Sequence, residues 1–230
     1  MHVQNITALF QKQLKDSLRN MPVLVLFFVY PIIALVMTQA MKNQVGMGTF
    51  FVSIFATMHC VFTPIVTTSS IISEEKENNT LRVLFMSNVT LKEYLLSIGG
   101  FVLVSNLVTS CFFLLLREFT LKQALLFLLA IGIGSLVSII LGACLALFSK
   151  NASAANGLSV PFGMVFAFLP MLANFSSGIE TVSKFTFSQQ VSYLLAGKEF
   201  TGFGLIVLGA NFIILCVIAS VLYSKSISEE

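Results

Sequence analysis

Charge is scarce in this sequence. Its 230 residues include 13 basic and 10 acidic side chains, so 10% of the chain is charged while 57% is hydrophobic. A soluble domain normally carries about a quarter charged residues. The deficit predicts lipid rather than water as the main solvent of the folded chain. The formal net charge of +3 is unremarkable for a membrane protein, and no nucleic-acid partner is expected.

The sequence also lacks the residues of common catalytic sites. It has no G-x-x-x-x-G-K-[ST] phosphate loop, and the fragment "AGKEF" (196–200) has neither the first glycine nor the hydroxyl residue. Nucleotide hydrolysis by this chain is therefore excluded. The two histidines, His2 and His59, cannot build a metal site, and no nucleophile–base pair is visible. The cysteines form no Cys-x-x-Cys pair and are expected to be inert buried thiols: Cys60, Cys111, Cys144 and Cys216.

Six uncharged runs are long enough to cross a bilayer as helices, each needing about 20 apolar residues. They do not alternate apolar and polar residues as barrel strands would. The sequence therefore predicts an all-α polytopic membrane protein with one transmembrane domain over residues 1–230. The expected spans, none of which contains Asp, Glu, Lys or Arg, are 22–40, 50–72, 94–116, 123–148, 158–175 and 204–223.

Basic residues predict the orientation of these spans. Three of them precede the first span, namely Lys12, Lys15 and Arg19, whereas only Lys42 follows it closely. Basic residues concentrate in cytoplasmic segments, and the first helix usually dominates this bias. We therefore expect both termini to lie in the cytosol.

Residues 3–20 precede the first span and have the pattern of an amphipathic helix. Apolar residues recur at spacings of three and four: Val3, Ile6, Phe10, Leu14 and Leu18. Such a helix lies in the membrane interface, with its basic groups among lipid phosphates. We interpret this helix as a membrane-surface anchor. In the alternative interpretation it is also a lever that contacts a cytosolic partner.

The fourth predicted span carries a row of small residues at every fourth position: Ala130, Gly134, Ser138, Gly142 and Ala146. Rows of this kind allow two membrane helices to approach closely. The row is expected to pack either inside the bundle or against a second copy of the chain.

The segment 176–203, between the last two spans, is predicted to contain a short amphipathic helix on the outer surface. The residues at helical spacing are Phe187, Val191, Leu194 and Leu195. This helix either rests on lipid headgroups or forms an outer gate, and the sequence leaves both possibilities open.

The segment 73–93, between the second and third spans, holds an unusual concentration of charge. It begins "SEEKENNTLR" and includes Glu74, Glu75 and Glu77. An anionic inner leaflet would repel these carboxylates. They are better satisfied by basic groups of a partner protein, or by those of the helix at residues 3–20.

A brief apolar helix is predicted at Thr80–Met86 in this segment, followed by a capping box from Thr90 to Glu93 at the start of the third span. It places Leu81, Leu84 and Phe85 on one face. Exposed apolar surface on the cytosolic side usually marks an interface. The alternative is a helix that folds against the bilayer.

The stretch "SEEKENNTLRVLFMSNVTLKEYLLS" (73–97) resembles the membrane subunits of type-2 ATP-binding-cassette (ABC) exporters. The residues that match the family pattern are Glu74, Glu75, Thr80, Leu81, Arg82, Leu84, Thr90 and Lys92. The order of a helix at residues 3–20, six spans and an outer helical segment is also similar. The chain departs from the family at "KFTFSQQ" (184–190), where a proline often stands.

The resemblance implies a non-catalytic permease subunit of an exporter in the cell membrane of a prokaryote. Two cytosolic ABC ATPase subunits, which hold ATP and Mg²⁺, would grip the Thr80–Met86 coupling helices of two permease copies or similar subunits. Because no charge lies at membrane depth, we expect an amphipathic or hydrophobic substrate such as a peptide, drug or lipid. A stand-alone secondary carrier or channel, and a non-transporting scaffold, are the alternatives.

Overall fold

Every regular element that the computed structural model describes is an α-helix. It describes residues 3–44, 46–87, 89–198 and 201–228, without the side chains of residues 3, 82, 85 and 223–228. The helices are α1 (Val3–Arg19), α2 (Met21–Ala40), α3 (Met47–Glu77), α4 (Thr80–Met86), α5 (Leu91–Leu114), α6 (Leu121–Phe148), α7 (Ala152–Ala173), α8 (Ser177–Ser183), α9 (Phe187–Leu195) and α10 (Gly202–Ser228).

Six of these helices are long and apolar enough to cross a membrane: α2, α3, α5, α6, α7 and α10. The predicted fold class is confirmed. Because six helices cross in alternating directions, α1, α4 and the start of α5 lie together on what we call the α4 side of the bundle. The starts of α3 and α6, together with α8 and α9, lie on the opposite side.

The centre of the bundle is α3, whose 31 residues correspond to about 46 Å of helix. It packs against α2, α5, α6, α7 and α9, and nearly all side chains from Val52 to Ser73 are buried. The helix extends beyond the predicted span 50–72 at both ends. Hydropathy marks where a chain leaves lipid, whereas this helix continues past that point and its last turn is hydrogen-bonded to α1 through Glu75.

Close contact between α3 and α6 depends on the predicted row of small residues. A Cβ atom at Gly142 would lie 2.5 Å from the backbone oxygen of Ile65, and one at Gly134 would lie 3.1 Å from Cys60 Sγ. Ser138 is fully buried between them. The row therefore packs inside the bundle, which is one of the two arrangements that the sequence left open.

Hydrogen bonds between buried polar side chains connect the central helices. In α3, His59 Nε2 lies 3.0 Å from Thr109 Oγ1 of α5, and Asn106 of α5 donates to Ser135 of α6 at 2.8 Å. Thr63 donates to a backbone carbonyl of α2 at 2.9 Å. Buried polar groups need such partners. His59 therefore occupies a packed interhelical position.

The described part of the segment 176–203 contains two short helices, α8 and α9, whereas the sequence predicted one short helix at the surface. Phe187 and Val191 of α9 are almost fully buried, because α9 packs against α3, α6, α7 and α10. An amphipathic pattern shows that the apolar face of a helix is buried, but it does not show whether lipid or protein buries it. Here the cover is the bundle itself rather than lipid headgroups.

Candidate functional site

The short helix α4 begins and ends at the residues predicted from the sequence. Two residues separate it from α3, and Asn79 takes a positive φ of 57°, which asparagine tolerates better than most residues. On the other side, the Ser87 hydroxyl donates to the Leu84 carbonyl at 2.8 Å, and the Val89 amide donates to the same carbonyl at 3.2 Å. The connection to α3 is therefore short and hydrogen-bonded, with the Asn79 amide donating to the Lys76 carbonyl at 3.2 Å, and on the α5 side Ser87 and Val89 bind the end of α4.

The predicted capping box is present where α5 begins. The Thr90 hydroxyl accepts from the Glu93 amide at 3.3 Å, and the Glu93 carboxylate accepts from the Thr90 amide at 3.0 Å. Glu93 is fully buried, and its carboxylate also accepts from Asn5 Nδ2 of α1 at 3.3 Å. One carboxylate thus fixes the start of α5 and its contact with α1.

The apolar residues of α4 divide between an inner and an outer surface. Leu81 and Leu84 are half-buried and pack against a core cluster that includes Ile72. In contrast, Val83 is 63% exposed and Met86 is 79% exposed. The sequence grouped Leu81 and Leu84 with Phe85 as an interaction face, but the two leucines contact the protein's own core.

Two residues of the predicted coupling site, Arg82 and Phe85, have side chains outside the described part of the structure. Thr80 is half-buried at the start of α4.

Glu75 joins the end of α3 to α1. Its carboxylate forms an ion pair with Lys12 and accepts from Gln13 Nε2 at 2.7 Å, and the residue is only 8% exposed. Of the three basic residues predicted in this helix, Lys12 alone has an ion pair in the described part of the chain. Lys15 and Arg19 are exposed.

The remaining acidic residues of the segment have different partners. Glu74 is exposed and accepts from the Ser70 hydroxyl at 2.7 Å. Glu77 accepts a hydrogen bond of 2.8 Å from the backbone amide of Ala152. Ala152 is the first residue of α7. A carboxylate at a helix start interacts favourably with the free amides there. The end of α3 is therefore connected to α7 as well as to α1.

A comparison with protein families matches nearly the whole chain. The family model "ABC-2 family transporter protein" matches residues 3–224. This chain belongs to the ABC-2 transporter family. The ABC-2 permease is thus the non-catalytic membrane component of an ABC transporter, a family that generally works with an ATPase subunit. No curated protein matches the sequence.

A polar cavity of about 280 Å³ lies on the α4 side of the ABC-2 permease, between α1, α3 and α4. Its lining includes Gln13, Asp16, Glu74, Asn78 and Thr80. In the part of the chain that the structure describes, no group of three or more metal-binding side chains occurs.

Sequence reasoning missed the protein-facing surface of α1. Leu9, Gln13 and Ser17 are buried, whereas Leu14 and Leu18, which belong to the predicted apolar face, are 42% and 61% exposed. The i, i+4, i+8 spacing of the buried residues was a possible signal. The mixed polarity of these three residues obscured the pattern, because two of them are polar, and Gln13 donates to the Glu75 carboxylate.

Proposed function

We propose that this permease is the membrane part of an ATP-driven exporter, in which cytosolic ATPase subunits bind α4. In the N-in, C-in topology, α4 faces the cytosol. The observation that carries the proposal is the outward apolar surface formed by Val83 (63% exposed) and Met86 (79% exposed). Apolar surface on a rigidly held helix outside the bilayer is characteristic of a protein interface.

The contacts of α4 support transmission of movement into the bundle. Closure of the ATPase subunits on ATP would displace α4, and the short connections would pass this displacement to α3 and α5. Because α3 packs along α5, α6 and α7, a tilt of α3 would reorient the bundle. The hydrogen bond between Glu77 and the start of α7 offers a second route by which movement of α4 would reach the bundle. Hydrolysis would then return the bundle to its inward-open state.

Two copies of the chain, or one copy with a similar subunit, would enclose the pathway. The composition favours an apolar and adaptable lining, since the chain has 23 Phe and nine Met. In α7, Phe162 (46% exposed) and Phe168 (40% exposed) point out of the single bundle. These features suit an amphipathic or hydrophobic substrate, such as a peptide, a drug or a lipid-like molecule.

The decisive experiment places a charge on the outward surface of α4. We expect Val83→Asp or Met86→Asp to abolish ATP-dependent transport in reconstituted vesicles and to remove the co-purifying ATPase activity. The matched control is Val182→Asp, because Val182 is 68% exposed in another seven-residue helix, α8, on the opposite side. Leu81→Asp and Leu84→Asp discriminate less well, since they also disturb the protein's own core.

The comparison requires that Val83→Asp, Met86→Asp and Val182→Asp insert into the membrane equally well and have equal thermal stability. The proposal is rejected if Val83→Asp and Met86→Asp leave ATPase association and transport unchanged. Transport that continues without any ATPase, and that follows an ion gradient instead, would identify a secondary carrier or channel.

A further inference from the structure

A groove of about 480 Å³ lies on the side of the bundle opposite α4. It is bounded by the turn between α5 and α6, the first half of α6 and the end of α9. Two cationic residues, Arg117 and Lys198, belong to its lining, together with apolar side chains of α6 and with Leu194 of α9. The groove therefore combines a charged end with an apolar body.

Aromatic rings position both cations at this end. The Arg117 guanidinium carbon lies 5.0 Å from the centre of the Phe119 ring, and Lys198 Nζ lies 4.2 Å from the centre of the Tyr193 ring. Contacts of this kind attract a cation without neutralising its charge. Among the described residues that line the groove, none is a carboxylate. The described lining of the charged end thus has two positive charges and no negative one, which suits an anion.

The apolar body of the groove is about as long as the hydrocarbon part of one bilayer leaflet is thick. Its lining runs along α6 from Gln123 to Ile133, which is about 15 Å at 1.5 Å per residue and roughly half of a hydrocarbon core about 30 Å thick. Leu126 is 56% exposed and Leu129 is 61% exposed. A second apolar cavity of about 370 Å³, between α6 and α10, shares Ile133 and continues the groove.

We propose that this groove binds an anionic phospholipid of the leaflet opposite α4. The phosphate group interacts with Arg117 and Lys198, and an acyl chain lies along Leu126, Leu129 and Ile133. The guanidinium fork of Arg117 matches the geometry of phosphate oxygens. This site depends on the six-span fold and not on the ATPase contact at α4, so the two proposals fail independently.

The test measures lipid binding to the full chain in detergent by native mass spectrometry. Phosphatidylglycerol and phosphatidylcholine with identical acyl chains serve as the probes, since they differ in headgroup charge. We expect phosphatidylglycerol to bind in preference to phosphatidylcholine. The double variant Arg117→Gln/Lys198→Gln should weaken phosphatidylglycerol binding roughly tenfold or more, because each basic group near a lipid surface contributes attraction.

The matched control is Lys42→Gln/Lys122→Gln. Both residues are exposed and lie on the same side of the bundle but do not line the groove, so this variant should retain binding. Arg117→Lys/Lys198→Arg keeps both charges and should also bind phosphatidylglycerol. Thermal unfolding without added lipid verifies that each variant is folded. Equal binding of the two lipids, or an equal loss in the Lys42/Lys122 variant, would overturn the proposal.

Discussion

Lys12 of α1 forms an ion pair with Glu75 of α3, 63 residues further along the chain. Glu75 lies in the last turn of α3, so the pair fixes α1 beside the connection to α4. Gln13 of α1 donates to the same carboxylate at 2.7 Å. The N-terminal helix is therefore part of the structure that holds α4 in position, in addition to any contact with lipid.

This relationship predicts a difference between two neighbouring glutamates. Glu75→Ala should lower the free energy of unfolding in detergent by roughly 1–3 kcal/mol, because it leaves the Lys12 ammonium and the Gln13 amide without their partner. Glu74→Ala is the control and should change stability by no more than about 0.5 kcal/mol, since Glu74 is exposed. Denaturant unfolding of the two purified variants measures the difference. Equal losses would show that Glu75 does not anchor α1.

The two capping boxes provide a second comparison, because Thr90 and Thr120 begin α5 and α6 in the same way. Thr90→Ala and Thr120→Ala should each destabilise the protein by about 1 kcal/mol through loss of a helix cap. Only Thr90→Ala should also reduce ATP-dependent transport, because Thr90 lies in the connection between α4 and α5. Transport assays in vesicles with equal amounts of inserted protein separate the two effects. A matching transport defect in Thr120→Ala would argue against coupling through this connection.

Glycine at position 142 should be required for the contact between α3 and α6. Gly142→Ala would place a methyl group 2.5 Å from a backbone oxygen of α3, so we expect a loss of about 1–3 kcal/mol from overpacking. Gly132→Ala is the control in the same helix, because its Cβ would lie 4.0 Å from the nearest neighbour, Leu107. Thermal unfolding in detergent compares the two variants. A Gly142→Ala variant as stable as Gly132→Ala would mean that the helices are less closely packed than described.

His59 should contribute to stability through its hydrogen bond and its packing. The ring centre lies 5.7 Å from that of Phe113 and 6.5 Å from that of Tyr30. His59→Ala should therefore destabilise the protein by roughly 2–4 kcal/mol, since it removes a buried ring and leaves a cavity. His59→Gln, which can still donate to Thr109, should recover a large part of this loss. If His59→Ala is fully stable but inactive in transport, His59 has a functional role instead.

Hydropathy alone was sufficient to predict six membrane helices, and local sequence was sufficient to place α4 and the capping box at Thr90. Each of these features depends on residues within one helix or one turn. For the acidic residues near α4, the sequence left open basic partners in another protein or in α1, and Lys12 of α1 is such a partner for Glu75. It did not distinguish Lys12 from Lys15 and Arg19, because that choice depends on the rotation of α1 against α3.

The sequence by itself determined the number of membrane helices, the position of α4 and the start of α5, since apolar length and helix caps act over short distances along the chain. Only the tertiary structure decided that Leu81 and Leu84 face the core while Val83 and Met86 face outward. It likewise decided that α9 is enclosed by the bundle. These outcomes depend on which segments meet in the folded bundle, and such contacts join residues that lie far apart in the chain.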